Sequence, residues 1–197
     1  MREVSGEVQR EEGEGMSWAP PPPGSVVGPE CFIGEGSYFA YPERLVLKGR
    51  ARIDPGLHCT AGLEMGENSV VCAGAFVTGG GLFSMGRWAF LGYGSQIHSS
   101  TEKYGTSLVN AWWGATECDR GDVRFEDYAG VASNCVVFPG VVLPEGCAVG
   151  VGGLVTSARH LRPWWIHLGQ PARPWKPRDR ERILAMERAP GFLRDHR

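Results

Sequence analysis

The stretch FEDYAGVASNCVVFPGVVLPEGCAVGVGGLV, from Phe125 to Val155, decides the fold. Phe125, Val131, Val137, Leu143, Val149 and Val155 stand six residues apart. That period fits neither a helix nor the alternation of a free-standing strand, and it is the period of a solenoid built from short strands and corners. Four residues after each of the first five come Ala129, Cys135, Val141, Cys147 and Gly153, all small or medium. One large and one smaller inward residue per side fills a narrow triangular coil, whereas two large ones would overfill it. Three such sides make a turn of eighteen residues.

The pattern extends upstream. Leu47, Ile53, Cys59, Met65, Val71 and Val77 keep the spacing, with Ala51, Leu57, Leu63, Ser69, Ala75 and Gly81 at the second inward position. A step of eight from Val77 to Met85 breaks register, after which Met85, Leu91 and Ile97 resume with Ala89 and Ser95. Val27 and Ile33, with Ser37 inward, open the series. The expectation is an all-β solenoid over residues 26–157. Residues 1–25 are polar and then polyproline, which predicts a mobile tail. Residues 158–197 read as a connector and a short amphipathic helix, Asp179 to Ala189, packed on the last coil.

With 197 residues the chain is long enough for one core, and its formal charge of -2 gives no electrostatic footprint for nucleic acid or an acidic membrane. The acidic opening has no apolar signal-peptide region and no stretch reads as a membrane span, so a cytoplasmic location is expected. Of the six cysteines, Cys59, Cys135 and Cys147 fall on inward repeat positions, and no CxxC or His-rich spacing suggests a metal. His58, His160, His167 and His196 show no partner spacing and read as structural or solvated.

Between Ile97 and Phe125 lie 28 residue steps with no apolar period, so residues 101–122 leave the coil as an excursion. Excursions of this length in compact folds usually carry function. This one holds Glu102, Lys103, Tyr104, Asn110, Trp112 and Trp113, a set suited to hydrogen-bonding and stacking on a polar ring. The alternative is an ordinary loop that covers a neighbour.

The hexapeptides, together with the closing run from Val131 to Arg178, resemble the left-handed β-helix acyltransferases. The segment IHSSTEKYGTSLVNAWW, Ile97 to Trp113, is similar to the insertion of sugar acyltransferases acting on nucleotide-linked amino sugars. The resemblance implies a left-handed parallel β-helix, a homotrimer with active sites between subunits, acetyl-CoA as acyl donor and no metal. It places the catalytic base at Glu102, with His98 as the nearby alternative. It places Ser133 and Val151 along the thiol and pantetheine arm, Thr156 after the last coil, and Arg173 and Lys176 toward the phosphates. Tyr104, Asn110 and Trp112 are the substrate-binding candidates. The chain departs from the family ending at Gly130, Ala132 and Ser157, where Trp, Gly and Lys are usual.

The chemistry follows from those residue types. An amine or hydroxyl attacking a thioester must lose a proton, which a carboxylate or neutral imidazole in hydrogen-bond reach can accept. A carboxylate suffices for an amine, whereas an imidazole, with its pKa near ~6.5, suits a hydroxyl better. The function expected is therefore acetyl transfer to the amino group of a nucleotide-linked amino-deoxy sugar by direct attack. The rivals are a sugar O-acetyltransferase and a noncatalytic solenoid serving as an assembly or binding module.

Overall fold

Each hexapeptide contributes one strand of two to four residues, too short to persist alone, and every third strand meets its counterpart of the next coil in parallel register. The computed structural model describes residues 18–106 and 117–189. Three parallel faces result. The first runs Val26–Val27, Leu45–Leu47, Gly62–Met65, Leu82–Met85, Val123–Phe125 and Val142–Leu143. The second begins at Phe32–Ile33 and reaches Ala148–Val149 and then Trp165–Leu168, while the third runs from Tyr38–Phe39 to Leu154–Val155. Backbone bonds climb the corners as well: Cys72 N–H donates to Leu91 O at 2.8 Å, Gly92 to Val131 at 2.9 Å, Ala132 to Val149 at 2.8 Å and Gly150 to His167 at 2.9 Å. This stacking leaves few orphan polar groups in the corners.

The inward residues are those the period marks. Ile53, Val71, Val77, Leu91, Ile97, Phe125, Val131, Val137 and Leu143 are wholly buried, and so are Ala51, Ser69, Ala75, Ser95, Cys135 and Cys147 at the second position. Gly81 is a correction. The two extra residues before Met85 lengthen the corner, so Phe83 rather than Gly81 pairs with Leu63 and points inward. Its ring meets Phe125 edge-on at 4.9 Å, filling a coil whose neighbours use aliphatic residues.

The corner between the first and second faces repeats a left-handed residue on each coil, at Glu30, Arg50, Asn68, Trp88, Tyr128 and Trp164, with φ between 55° and 58°. Gly146 occupies the same place on one coil because a Cβ there would run into the Trp164 indole.

The excursion is a hairpin. After Gln96–His98 on the third face, strand Ser100–Glu102 pairs antiparallel with Cys118–Arg120, and the chain rejoins the first face at Val123–Phe125. Asn110, Trp112 and Trp113 lie outside the described residues.

At the amino end, Trp18 bridges to Gly34 and Ala19 N–H donates to Ile33 O at 2.7 Å, so this part of the expected tail lies on the first coil; residues 1–17 fall outside the description. At the other end, the connector adds a rung, Trp165–Leu168, which carries Arg173–Pro177 antiparallel on its outer edge. The short helix α1 spans Arg180–Arg188, its first turn capped by the Asp179 carboxylate accepting from Arg182 N–H at 3.0 Å. Its docking reaches beyond the last coil. Glu187 reaches back to Arg87, Trp88 and Tyr128 on earlier coils, while Arg180 covers the Trp164 indole of the last one.

Candidate active site

The lengthened corner at Gly79, Gly80 and Gly81 supports the root of the hairpin. Arg44 donates from its two terminal guanidinium nitrogens to the carbonyls of Gly80 and Gly81 at 2.9 and 3.0 Å. Gly79 has φ 107°, and a Cβ there would collide with the Ser100 backbone nitrogen. Ser99 is buried at this junction, its N–H and hydroxyl both donating to Thr78 O at 2.8 Å while its Oγ accepts from Gly81 N–H at 2.9 Å.

Where the hairpin leaves the third face it walls a groove of about 450 Å³, lined by His98, Ser100, Thr101, Glu102, Tyr104, Val136 and Phe138. The two candidate bases, four residues apart in sequence, therefore share one groove. His98 is half-buried, its Nδ1 lies 3.0 Å from Thr78 Oγ1, and Phe138 lies across from it with ring centroids 6.5 Å apart. Burial pushes the imidazole pKa below its ordinary value, which favours the neutral ring. Glu102 is half-buried on its strand, and Tyr104 is exposed at the turn beyond it.

A second recess, of about 330 Å³, is lined by Leu154, Val155, Thr156, Ser157, Arg159, His160, Pro171, Ala172 and Arg173. It combines three groups able to bear positive charge with two hydroxyls, a composition suited to phosphate oxygens. The two cavities adjoin. Val136 pairs with Leu154 and Phe138 N–H donates to Val155 O at 2.9 Å, so groove and recess occupy neighbouring coils at one end of the same face.

Thr156 and Arg173 both line this recess. Ser133 and Val151 stack on each other at the opposite edge of that face, Gly152 N–H donating to Ser133 O at 2.9 Å, with Val151 exposed. Lys176 does not line the recess: it lies three residues further along the edge strand, with Nζ 4.2 Å from the Trp175 ring centroid. Sequence reasoning missed Thr78 and Phe138, and took His160 for a structural or solvated residue with no site. The step of eight after Val77 and the basic pair Arg159-His160 just past Thr156 were the available signals.

His167 is wholly buried as a structural residue, its Nε2 accepting from Arg162 N–H at 3.0 Å. Burial raises the thiols of Cys59 and Cys72 to about 11 and that of Cys147 to about 12, which removes them as nucleophiles. Among the described residues no cluster of His, Cys, Asp and Glu has the arrangement of a metal site, and no helix is long and apolar enough to cross a membrane.

No protein-family model matches the chain, and no curated protein matches its sequence. Among solved structures it is similar to AntD, an N-acyltransferase from Bacillus cereus in complex with dTDP and 3-hydroxybutyryl-CoA, with TM-score 0.77 and 23% identity over 83% of this chain and 88% of that one. A mutant of AntD in complex with dTDP-4-amino-4,6-dideoxyglucose and coenzyme A gives TM-score 0.76 and 23% identity over 83% and 89%. The hexapeptide-repeat acetyltransferase VCA0836 from Vibrio cholerae gives TM-score 0.57 and 20% identity over 66% and 71%. These likenesses show the fold, a hexapeptide-repeat β-solenoid.

Proposed function

We propose that the protein is an acyl-CoA-dependent N-acyltransferase, with acetyl-CoA as donor and a nucleotide-linked amino-deoxy sugar as acceptor. The observation that carries this reading is the adjacency of a groove lined by Glu102 and His98 to a recess lined by basic side chains and hydroxyls. AntD, on the same fold, is seen with a dTDP-linked amino sugar and coenzyme A, the two ligand classes such a pair of cavities would take.

In this reading Glu102 takes the first proton, converting the acceptor's ammonium to the neutral amine. The nitrogen attacks the thioester carbonyl, forming the C–N bond and a tetrahedral oxyanion that nearby N–H donors stabilise. The C–S bond then breaks, and the second nitrogen proton passes through His98 to the departing thiolate. Arg173 and Thr156 hold the donor's phosphate end, with Arg159 and His160 beside them; Lys176 is a weaker candidate. Ser133 and Val151 line the pantetheine arm, and Tyr104, Asn110 and Trp112 hold the sugar nucleotide. A homotrimer that packs a neighbouring solenoid against the groove and the recess would exclude water from them.

The half-buried neutral His98 favours sugar O-acetylation as the second reading, because a hydroxyl needs a stronger base than a neutral amine does. Purified protein incubated with acetyl-CoA and matched amino and hydroxy nucleotide sugars, with free thiol as readout, tests both. Thiol release with the amine and an amide product supports N-acylation; release with the hydroxy sugar alone supports the second reading, and none with either leaves a binding module.

A further inference from the structure

The geometry points to Thr78 as a positioning residue for His98: its hydroxyl oxygen accepts from Nδ1–H and so fixes the tautomer that leaves Nε2 as the proton acceptor in the groove. The inference rests on the reading of His98 as part of the acceptor site. Thr78 and His98 are register partners on adjacent strands of the third face, with Oγ1 3.0 Å from Nδ1.

A hydroxyl has a single proton to give. Thr78 has a second acceptor in reach, the carbonyl oxygen of Ile97 at 3.5 Å. With its proton directed there, Oγ1 turns lone pairs toward the imidazole, and Nδ1 must carry the ring proton. Donation to Nδ1 instead would put the ring proton on Nε2, and His98 would enter the groove as a donor unable to accept.

The rest of the junction holds Thr78 in place for this task. Its carbonyl accepts from both the Ser99 N–H and the Ser99 hydroxyl at 2.8 Å, and the Ser99 hydroxyl oxygen is itself bound by Gly81 N–H. The register step after Val77 thus builds the corner that braces the threonine. An ordinary six-residue corner would lack the glycines that Ser99 and Ser100 pack against.

Long-range proton–nitrogen correlation spectra of the nitrogen-15-labelled protein read the tautomer directly, with His98→Asn identifying its signals among those of the five histidines. The parent is expected to show His98 protonated on Nδ1. Thr78→Val should move the neutral ring toward the Nε2-protonated form and lower kcat with a nucleotide amino sugar on the order of three- to tenfold, the effect of one neutral hydrogen bond. The acyl-CoA KM should not move, and Thr78→Ser should restore both spectrum and rate. An Nε2-protonated His98 in the parent overturns the inference, as does a folded Thr78→Val protein with parental spectrum and kcat. If Thr78→Val does not fold, the parent spectrum and the serine variant decide. If no variant acylates anything, the spectrum still settles the tautomer, so failure of the proposed function is told apart from failure of this assignment.

Discussion

The Glu187 carboxylate of α1 accepts from the Trp88 indole N–H at 2.9 Å across 99 residues of sequence. The same carboxylate accepts from Arg87 at 2.6 Å and from the Tyr128 hydroxyl. Tyr128 and Trp88 are equivalent corner residues on successive coils, so the helix is clamped to a column rather than to one turn. Arg178, just before the helix, donates to the carbonyls of Tyr128 and Gly146 at 2.9 and 2.7 Å. The clamp therefore also fixes the strand that carries Arg173.

Release of α1 in acid follows. The Tyr128 hydrogen bond, with that of Trp88 and the positive charge of Arg87, outweighs burial and holds Glu187 below the ordinary carboxylate value. A carboxylate with a depressed folded pKa contributes stability above its unfolded value, about 4.3, and loses it as pH falls through the folded value. Hydrogen exchange of residues 180–188 should show protection from pH 7 down to about pH 5, lost at lower pH. Glu187→Ala should be unprotected throughout. Equal protection of parent and variant at neutral pH would remove the clamp.

The lengthened corner leads to a second expectation. Gly79→Ala places a side chain at φ 107° and against Ser100, with a cost above about 1 kcal/mol that falls on the hairpin root. Turnover should drop while the remaining coils keep their far-ultraviolet spectrum. Wild-type turnover with wild-type melting would mean that the corner does not shape the groove.

The proposed intersubunit site requires a trimer. Light scattering should return three times the 21.4 kDa chain mass. A monomer that acylates at full rate would place the whole site within one chain.

Arg173 and Lys176 separate in the structure, and the donor should feel the difference. Arg173 lines the recess beside Thr156, whereas Lys176 lies over Trp175. A charge-assisted phosphate contact is worth about 1.5–3 kcal/mol before solvent screening, so Arg173→Ala should raise the acyl-CoA KM about tenfold. Lys176→Ala should change it less, and added salt should weaken donor binding in the parent more than in Arg173→Ala. The opposite ranking would move the phosphates to the edge strand.

The coils were legible because their inward residues repeat: Val131, Val137 and Leu143 are buried by position in the period, with no need of distant partners. Phe83 was not, since a register step hides which residue of a longer corner turns inward, and only its pairing with Leu63 reveals it. The sharing of a groove by His98 and Glu102 needed the antiparallel closure of Ser100–Glu102 on Cys118–Arg120, a contact between segments with no common period. Glu187 was out of reach for the same reason. Its partners come together only because the insertion lets Trp88 and Tyr128, forty residues apart, stack on consecutive coils.

The most direct measurement is kcat of Glu102→Gln and His98→Asn with an amino-sugar nucleotide, taken alongside the acyl-CoA dissociation constant of each. The expected result is a loss of ~100-fold to ~10,000-fold in kcat for Glu102→Gln, a smaller loss for His98→Asn, and donor binding unchanged in both. Full turnover in Glu102→Gln with activity abolished in His98→Asn would contradict the carboxylate as proton acceptor and turn the groove over to a histidine-driven O-acylation.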